Sequence, residues 1–260
     1  ENGFAICYPN GTVDQNGDRF WNVGYNFHQN QTVDDVGFLS ALAVHLQDEY
    51  NLSSENTFAS GMSNGAEMSY MLSCFSSEIF KAIAPVAGTM FGESWTDCSS
   101  EPKPILEIHG TNDNVTLWEG AANDTYWGPY PGTEEVIDYW VELNGCNSNE
   151  TLFLPNLNTI KHRYYDCTDG IEVWLYEVVN GGHDWPSYSS QEIWNFFASF
   201  IDLTVGDLNA DENINILDVI ILVNYILNPA AVELEGADIN NDGEVNILDI
   251  VALVNIILNN

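Results

Sequence analysis

The segment Gly61-Met62-Ser63-Asn64-Gly65 constrains the fold more than any other part of this chain. It lies between a short strand-like run at residues 57–59 and a helix-like run at residues 66–75. A serine flanked by glycines at such a junction fits a strained strand-to-helix turn, which exposes a hydroxyl above the edge of a sheet. The pentapeptide alone also suits an ordinary turn, because small residues occur in many turns.

Two later segments supply an acid and an imidazole after that serine. Asp113 follows the apolar run 104–108, and His183 follows the strand-like run 171–179. Active-site residues of open α/β sheets gather where the strands end. We therefore predict a triad with Ser63 as nucleophile, His183 as general base and Asp113 as the acid that orients the imidazole. The alternative is that the histidines are hydrogen-bonded loop residues and that Asp113 forms a turn.

Apolar runs of two kinds alternate over the first 200 residues. Strand-like runs lie near 3–8, 56–60, 81–87, 103–109 and 171–179, and helix-like runs near 33–50, 64–75, 133–144 and 190–201. This alternation predicts an α/β fold in which helices cover a largely parallel sheet. The predicted domains are 1–203 and a small all-α module at 204–260.

The long segment 110–132 interrupts this alternation next to Asp113 and is rich in aromatic residues. We predict that Trp118, Trp127 and Tyr130, together with Trp185 beside His183, contact the substrate. The alternative is that these rings only pack the segment onto the core.

The charge balance is extreme, with 39 acidic and 5 basic residues and a formal net charge of −34. Such a surface repels phosphate backbones and anionic membranes, so nucleic acid is excluded as a partner. No run of eighteen apolar residues occurs, and we expect no membrane span. Self-repulsion on this scale suggests a salty or calcium-containing medium.

A twelve-residue acidic pattern occurs twice near the C-terminus, with an offset of 31 residues. Both copies place oxygen-bearing side chains at the positions typical of an EF-hand-type calcium loop. We therefore predict two Ca²⁺ ions. Aspartate stands at position 12 in place of the usual glutamate, and Glu212 occupies the turn position that is glycine at Gly243. The predicted ligands are Asp207, Asn209, Asp211, Asn213, Asn215 and Asp218, and Asp238, Asn240, Asp242, Glu244, Asn246 and Asp249.

Each loop continues into a helix that is apolar almost all round, at residues 215–227 and 246–258. A module this small cannot bury such helices without help from metal or a partner. The segment from about 205 to 260 resembles a type I dockerin, which implies calcium-dependent docking to a cohesin. Ile216-Leu217 and Ile247-Leu248 replace the small hydroxyl residues often found at the contact positions, which leaves the partner open.

The first 200 residues resemble the polyhydroxybutyrate depolymerase and feruloyl esterase branch of the α/β-hydrolases. That resemblance implies a secreted carboxylic-ester hydrolase with a serine acyl-enzyme. Feruloyl or acetyl esters of plant or algal polysaccharide are the expected substrates, and polyester hydrolysis is the alternative. The motifs that carry the resemblance are Gly3-Phe4-Ala5-Ile6-Cys7-Tyr8-Pro9, Asp34-Asp35-Val36-Gly37-Phe38-Leu39, Gly61-Met62-Ser63-Asn64-Gly65, Ala84-Pro85-Val86-Ala87-Gly88, His109-Gly110-Thr111 and Gly182-His183-Asp184-Trp185-Pro186.

The resemblance also implies two oxyanion-hole amides, and only the Asn64 N–H is placed by this sequence. The second comes from a His-Gly-type loop after a strand that precedes Gly3, and that strand lies between the first strand here and the elbow strand. We therefore expect weak activity, about 100- to 1,000-fold reduced. Three expectations stay open: that the chain is a fragment, that it re-pairs its first strand, or that another subunit of a homo-oligomer completes its sheet. A third function also stays open, in which a weak hydrolase serves as a calcium-dependent assembly protein.

Five cysteines favour an oxidising compartment. Cys146 and Cys167 flank a hairpin-like region, and Cys74 and Cys98 bracket the strand after the elbow helix. We predict these two pairs as disulfides. Cys7 is then left over, either buried or without a mate.

Overall fold

The computed structural model describes residues 4–14, 17–201, 205–209, 211, 213–228, 234 and 236–259, with residue 156 by its backbone alone. The chain divides into a large unit, residues 8–44 and 56–200, and a small unit, which contains residues 4–7, 45–55 and those from 201 onward. The grouping of 4–7 and 45–55 with the C-terminal part was not predicted. Gly3, Glu212 and the predicted boundary at 203 lie outside the described residues.

A six-stranded sheet forms the centre of the large unit, with strand order β3-β4-β5-β8-β7-β6. β3, β4, β5 and β8 are parallel, and β7 and β6 continue the sheet antiparallel. A separate antiparallel pair precedes it. The strands are β1 (Thr12–Val13), β2 (Arg19–Phe20), β3 (Phe58–Met62), β4 (Ala82–Val86), β5 (Ile105–Gly110), β6 (Ser148–Leu154), β7 (Thr159–Tyr165) and β8 (Val173–Val178).

Helices connect the parallel strands, as the sequence predicts. Six of the seven helices described begin within two residues of their predicted starts. The helices are α1 (Asp35–Tyr50), α2 (Asn64–Phe75), α3 (Glu93–Thr96), α4 (Thr133–Leu143), α5 (Ser189–Ala198), α6 (Ile216–Leu227) and α7 (Ile247–Asn259). The result is the predicted α/β-hydrolase type of architecture, followed by a helical module.

Side chains of the buried strands alternate between two apolar clusters, one on each face of the sheet. Ile83 and Ile105 pack with Tyr70 of α2 and Trp140 of α4. Residues one position away, such as Leu106, pack with aromatic residues of α5 on the opposite face. Near-continuous apolar runs in β4 and β5 are therefore required, since both faces of these strands are covered.

The predicted strand at 3–8 is not formed. Residues 4–8 have no regular secondary structure, and within the described residues β3 pairs with β4 alone. A strand-like side-chain pattern does not suffice, because a strand is stable only when a neighbour pairs with its N–H and C=O groups.

The hairpin-like region between Cys146 and Cys167 is confirmed as the antiparallel pair β6–β7. Both predicted disulfides are present, Cys146–Cys167 across this hairpin and Cys74–Cys98 between α2 and the segment after α3. Cys7 is a free, exposed thiol, so it is left over as predicted, and of the two alternatives burial is wrong.

The small unit contains α6 and α7, which pack around Val219, Leu222, Ala237 and Leu253. Both helices are apolar on their outer sides too, with Ile216 and Ile247 more than 60% exposed. Across the described residues no helix is both long and apolar enough to cross a bilayer.

Candidate active site and metal loops

Ser63 occupies the predicted turn between a strand and a helix. β3 ends at Met62, α2 begins at Asn64, and Ser63 has φ 55° and ψ −122°, a strained conformation for a residue with a side chain. A Cβ at Gly61 would lie 2.5 Å from the backbone of Gly65, so glycine is required there. The turn is therefore a nucleophile elbow in its backbone geometry.

Hydrogen bonds from the Ser63 backbone fix the elbow to both neighbouring elements. Its N–H donates to Val86 O at the end of β4 (2.9 Å), and its carbonyl accepts from the N–H groups of Ala66 and Glu67 in the first turn of α2 (2.8 and 3.0 Å). The N–H of Asn64 has no acceptor within the described residues. It is thus available as a donor, and its predicted role toward an oxyanion stays a prediction.

The side chain of Asn64 is held on three sides. Its amide group donates to Trp21 O (3.0 Å) and to the Tyr25 hydroxyl oxygen (3.2 Å), and its carbonyl oxygen accepts from Trp21 N–H (2.6 Å). Tyr25 in turn donates to Glu67. This buried network orients the residue whose N–H is the candidate oxyanion donor.

Asp113 and His183 form a hydrogen-bonded pair although 70 residues separate them. His183 Nδ1 lies 2.8 Å from Asp113 Oδ2, while Asp113 Oδ1 accepts from the N–H groups of Val115 (2.8 Å) and Thr116 (3.0 Å). The carboxylate is fully buried, and the imidazole is 18% exposed. An acid held on three sides can fix the tautomer and direction of the ring.

The pKa of Asp113 lies below its ordinary value. Burial raises it, but the hydrogen bonds from His183 and Val115 N–H and the charges of His183 and His109 outweigh that effect. The acid is therefore ionised at neutral pH and can stabilise an imidazolium.

Loop hydrogen bonds connect the carboxyl ends of four adjacent strands. Ser63 N–H reaches β4, Ala87 N–H donates to Ile108 O of β5 (2.9 Å), Thr111 N–H donates to Val178 O of β8 (3.0 Å), and Asn112 N–H donates to Gly181 O (2.8 Å). The loops that carry Ser63, Asp113 and His183 thus share one edge of the sheet. No hydrogen bond joins the Ser63 hydroxyl to His183 in the described part of the chain, and such contacts are often long before substrate binds.

Three titratable residues below the elbow are buried, and the sequence prediction did not use them. Burial raises the pKa of Glu67 to about 7 against hydrogen bonds from Tyr25 and Asn64, and burial also raises the pKa of Glu107. Glu107 and His109 alternate with apolar residues in the otherwise buried β5. Two polar residues in such a strand are a signal that sequence reasoning could have used.

The predicted substrate-contacting aromatic residues differ in exposure. Tyr130 is buried against Phe91, and Trp118 packs partly into the core with its ring at right angles to His109. Trp127 is half-buried against Tyr25, and Trp185, two residues from His183, is exposed. Their contact with substrate stays a prediction, for which Trp185 has the most available ring surface.

A cavity of about 320 Å³ adjoins the loop that carries His183. Its lining combines residues on either side of the histidine with apolar groups, and it includes neither Ser63 nor His183. The lining includes Gly182, Asp184, Pro186, Tyr188, Leu157 and Val178.

The two acidic loops of the small unit repeat the same internal hydrogen bonds. Asp211 N–H donates to Asp207 Oδ1 (3.1 Å), and Asp242 N–H donates to Asp238 Oδ1 (3.1 Å). At position 12 of the first loop, Asp218 Oδ1 accepts from Leu208 N–H (2.8 Å) and Oδ2 from Asn215 N–H (2.8 Å). Asp249 makes the equivalent bonds in the second loop. The loops therefore fold as structural copies.

The donor set of these loops fits a hard cation. Asp218 and Asp249 are completely buried, and in the described residues neither pairs with a lysine, arginine or histidine. Buried carboxylates require a counter-charge. No three His, Cys, Asp or Glu side chains form a metal cluster among the described residues, so asparagine and carbonyl oxygens must complete each site. Calcium accepts such ligands.

Comparison with known proteins agrees with both parts of the chain. The family model for esterase PHB depolymerase matches residues 1–151, which include Ser63 and Asp113 and end before His183. The model for the dockerin type I domain matches residues 205–258.

Similar proteins include several fungal esterases. Feruloyl esterase B of Piromyces equi is 27% identical over 204 residues, which are 76% of this chain and 37% of that protein. A probable feruloyl esterase C of Aspergillus niger is 27% identical over 176 residues, 65% of this chain and 59% of that protein. A bifunctional acetylxylan esterase/xylanase of Neocallimastix patriciarum is 24% identical and is covered over 27% of its length. The chain thus spans less than two thirds of each of these relatives.

Among solved structures, a Bacillus cereus carboxylesterase gives a TM-score of 0.49 at 16% identity, with 73% of each chain covered. Acetyl xylan esterase from Aspergillus awamori gives 0.45 at 15% identity, with 63% of this chain and 67% of that chain covered. Likenesses of this size carry no argument about the reaction. The family match covers more than half of the sequence, and the chain therefore belongs to the esterase PHB depolymerase family and carries a type I dockerin domain at its C-terminus.

Proposed function

We propose that the large unit is a serine carboxylic-ester hydrolase whose triad is Ser63, His183 and Asp113. One observation carries the proposal. Ser63 occupies a strained elbow at the edge of the sheet where Asp113 and His183 form a hydrogen-bonded pair, with the carboxylate buried and the imidazole partly exposed. The family match and the fungal esterase relatives support the same reaction class.

In this mechanism the Ser63 hydroxyl attacks the ester carbonyl while His183 Nε2 takes its proton. Asp113 holds the proton on Nδ1 and stabilises the imidazolium. The Asn64 N–H donates to the oxyanion, and His183 returns the proton to the departing alcohol. Water, deprotonated by His183, then attacks the acyl-enzyme and releases the acid. Asp113→Asn should lower kcat by about 10⁴-fold, because the wrong tautomer then faces the serine.

A fluorophosphonate probe tests the assignment directly. The native protein should be labelled at Ser63, and Ser63→Ala should lose all labelling. Ser60→Ala is the matched control, since Ser60 lies three residues earlier on β3 and its hydroxyl donates to Ala84 O. Absence of labelling in a folded native protein would favour the alternative, in which a catalytically weak unit is anchored by the C-terminal module. Within the described residues β3 pairs with a neighbouring strand on one side only, and this observation supports the alternative.

The proposed substrates are feruloyl or acetyl esters of polysaccharide, as the names of the relatives suggest for those proteins. A panel of methyl ferulate, acetylated xylan and poly(3-hydroxybutyrate) film separates the candidates. Turnover of the polyester alone would replace this proposal with the depolymerase alternative, which the family name supports.

The C-terminal module is proposed to bind two calcium ions through the duplicated loops and to attach a secreted protein to a cohesin-type partner. Calcium would order each loop ahead of its helix, and two disulfides suit an oxidising, extracellular setting. The exposed pairs Ile216-Leu217 and Ile247-Leu248 begin the two helices and offer equivalent apolar contacts.

Binding to immobilised cohesins, measured with calcium and with EDTA, tests this attachment. We expect capture that calcium supports and EDTA abolishes. Capture should weaken, while the module still binds calcium, in the fourfold variant Ile216→Ser, Leu217→Ser, Ile247→Ser and Leu248→Ser. Equal capture in EDTA would contradict the proposal.

A further inference from the structure

A second histidine lies behind the Asp113–His183 pair, and the proposed mechanism does not use it. His109 is on β5, two residues from Glu107 and four from Asp113, and all three side chains are at most 1% exposed. The ring Nδ1 lies 3.0 Å from Glu107 Oε1, and Nε2 lies 2.9 Å from the Thr116 carbonyl oxygen. Both ring nitrogens therefore have a hydrogen-bond partner in the interior.

These partners determine where one proton must be. A carbonyl oxygen can only accept, so His109 Nε2 carries hydrogen. The proton between Nδ1 and Glu107 belongs to either the ring or the carboxyl group. Tyr70 O–H lies on the other carboxyl oxygen of Glu107, at 2.8 Å. In each arrangement the Nε2–H bond points away from Glu107, toward the segment that contains Asp113 and Thr116.

His109 Nε2 is 3.6 Å from Asp113 Oδ2, the same oxygen that accepts from His183 Nδ1 at 2.8 Å. The carboxylate therefore has an imidazole on each side. The contact at 3.6 Å is electrostatic and not a hydrogen bond, because the Nε2–H donates to Thr116 O. The positive end of that N–H bond still lowers the negative potential that the oxygen presents to His183.

We propose that His109, held by Glu107, is a positioning residue that shares the Asp113 carboxylate with His183 and thereby sets the pH at which His183 can act as a base. This inference depends on the proposed function, in which Asp113 and His183 are catalytic. It requires no proton to move between Glu107 and Asp113 during the reaction.

The charges that face His109 come from three elements. Glu107 lies on the same strand, and Asp113 lies in the following loop, with the Trp118 ring alongside. From α2, Tyr70 donates to Glu107, and Glu67 interacts with the charge of Glu107. Burial by itself lowers the pKa of His109, but Glu107, the Thr116 carbonyl and Asp113 raise it above the ordinary value. The ring and Glu107 share the proton on the Nδ1 side, and in either arrangement the Nε2–H bond keeps its positive end on the side that faces Asp113.

The sign of the effect follows from the direction of this N–H bond. Its positive end beside Asp113 Oδ2 opposes protonation of His183, so removal of the ring should favour the His183 imidazolium. The acidic limb of kcat/KM against pH should then move to higher pH. An effect of about one pH unit is usual for a charge within this range of a titrating site.

The experiment compares His109→Gln with His162→Gln. His162 also pairs with a glutamate, Glu177 (2.8 Å), but it lies on β7 away from the triad. We expect the midpoint of the acidic limb to rise by about one unit in His109→Gln and to stay unchanged in His162→Gln. Glu107→Gln should move it in the same direction by less, because His109 then loses the carboxylate that holds its Nδ1 side. The Glu107→Gln variant also tests the inference if the His109→Gln protein does not fold.

A merely structural role would lower kcat in these variants and leave the midpoint in place. The ring resonances of His183, followed by NMR against pH in Ser63→Ala protein, give a second readout that needs no activity. If fluorophosphonate labelling fails but this titration shifts in His109→Gln, the proposed reaction is wrong and the coupling stands. An unchanged midpoint in both His109→Gln and Glu107→Gln overturns the inference.

Discussion

The large unit surrounds its six-stranded sheet with three apolar clusters and closes two disulfides, whereas the small unit packs two helices around one cluster with four buried members. The hydrogen bonds of the small unit's loops run mostly between backbone N–H groups and side-chain oxygens of aspartate and asparagine. In the large unit, by contrast, the ladders of the sheet hold the loops that carry the candidate site.

This contrast shows two ways of holding polar residues in place. The large unit can bury Glu67, Glu107 and Asp113 because tyrosine, histidine and backbone donors surround them. The small unit buries Asp218 and Asp249 against backbone N–H donors, without a cationic side chain among the described residues, and the proposed calcium ions would supply the counter-charge. Order in the large unit comes from the chain itself, and in the small unit it would come partly from bound calcium.

Calcium removal should produce the largest difference in stability between the two units. In EDTA we expect the small unit to lose its folded state while the large unit keeps its own, because only the small unit contains the duplicated oxygen-rich loops. Calorimetry should show one transition disappear and the other move by no more than a degree or two. Asp218→Ala combined with Asp249→Ala should give the same result in calcium. Loss of both transitions would show that the units do not fold independently.

Loss of a disulfide should affect only the large unit. Cys146→Ser with Cys167→Ser opens a loop of 21 residues, which should cost about 3 kcal/mol of unfolding free energy. For a unit of this size, that lowers Tm by about 6 to 12 °C. Cys7→Ser is the matched control, because Cys7 is free. If the Tm of the calcium-dependent transition falls instead, the disulfide stabilises the small unit, and the contrast between the two units is wrong.

Glu67→Gln should change how the stability of the large unit depends on pH. The pKa of Glu67 rises from 4.5 to about 7 on burial. The favourable contribution of Glu67 to the free energy of unfolding is therefore complete below about pH 4.5 and is lost as the pH rises through about 7. We expect Glu67→Gln to raise Tm relative to the native protein at pH 8 more than at pH 5. Glu135→Gln, at an exposed position of α4, should show no such trend. If the native protein has a higher Tm than Glu67→Gln at pH 8, the explanation by a buried acid is contradicted.

Added salt should have the smallest effect, and it should reach both units. With a net charge of −34, screening of acid–acid repulsion should raise each transition by a few degrees as NaCl increases from about 0.01 to 0.15 M, where the Debye length falls from about 30 to 8 Å. The series is run at constant free calcium. Transitions that do not rise with salt would refute the expectation of a salty medium.

Much of the architecture could be predicted from local pattern. The elbow follows from the glycines around Ser63, the helices from apolar periodicity, and the disulfides from cysteines that flank a hairpin and a strand. The strand at 3–8 could not be predicted correctly, because strand formation depends on a partner elsewhere in the chain. The burial of Tyr130 was equally invisible, since an aromatic residue in a loop can face solvent or core.

The sequence by itself determined the order of the elements, the chemical types of the candidate catalytic residues and the duplicated oxygen-rich loops, because these depend on neighbours along the chain. Only the tertiary structure decided that Asp113 meets His183 across 70 residues and that His109 approaches the same carboxylate. Such contacts arise where parallel strands bring distant loops to one edge. The burial that strengthens them is a property of the packed core, to which helices and strands from the whole large unit contribute.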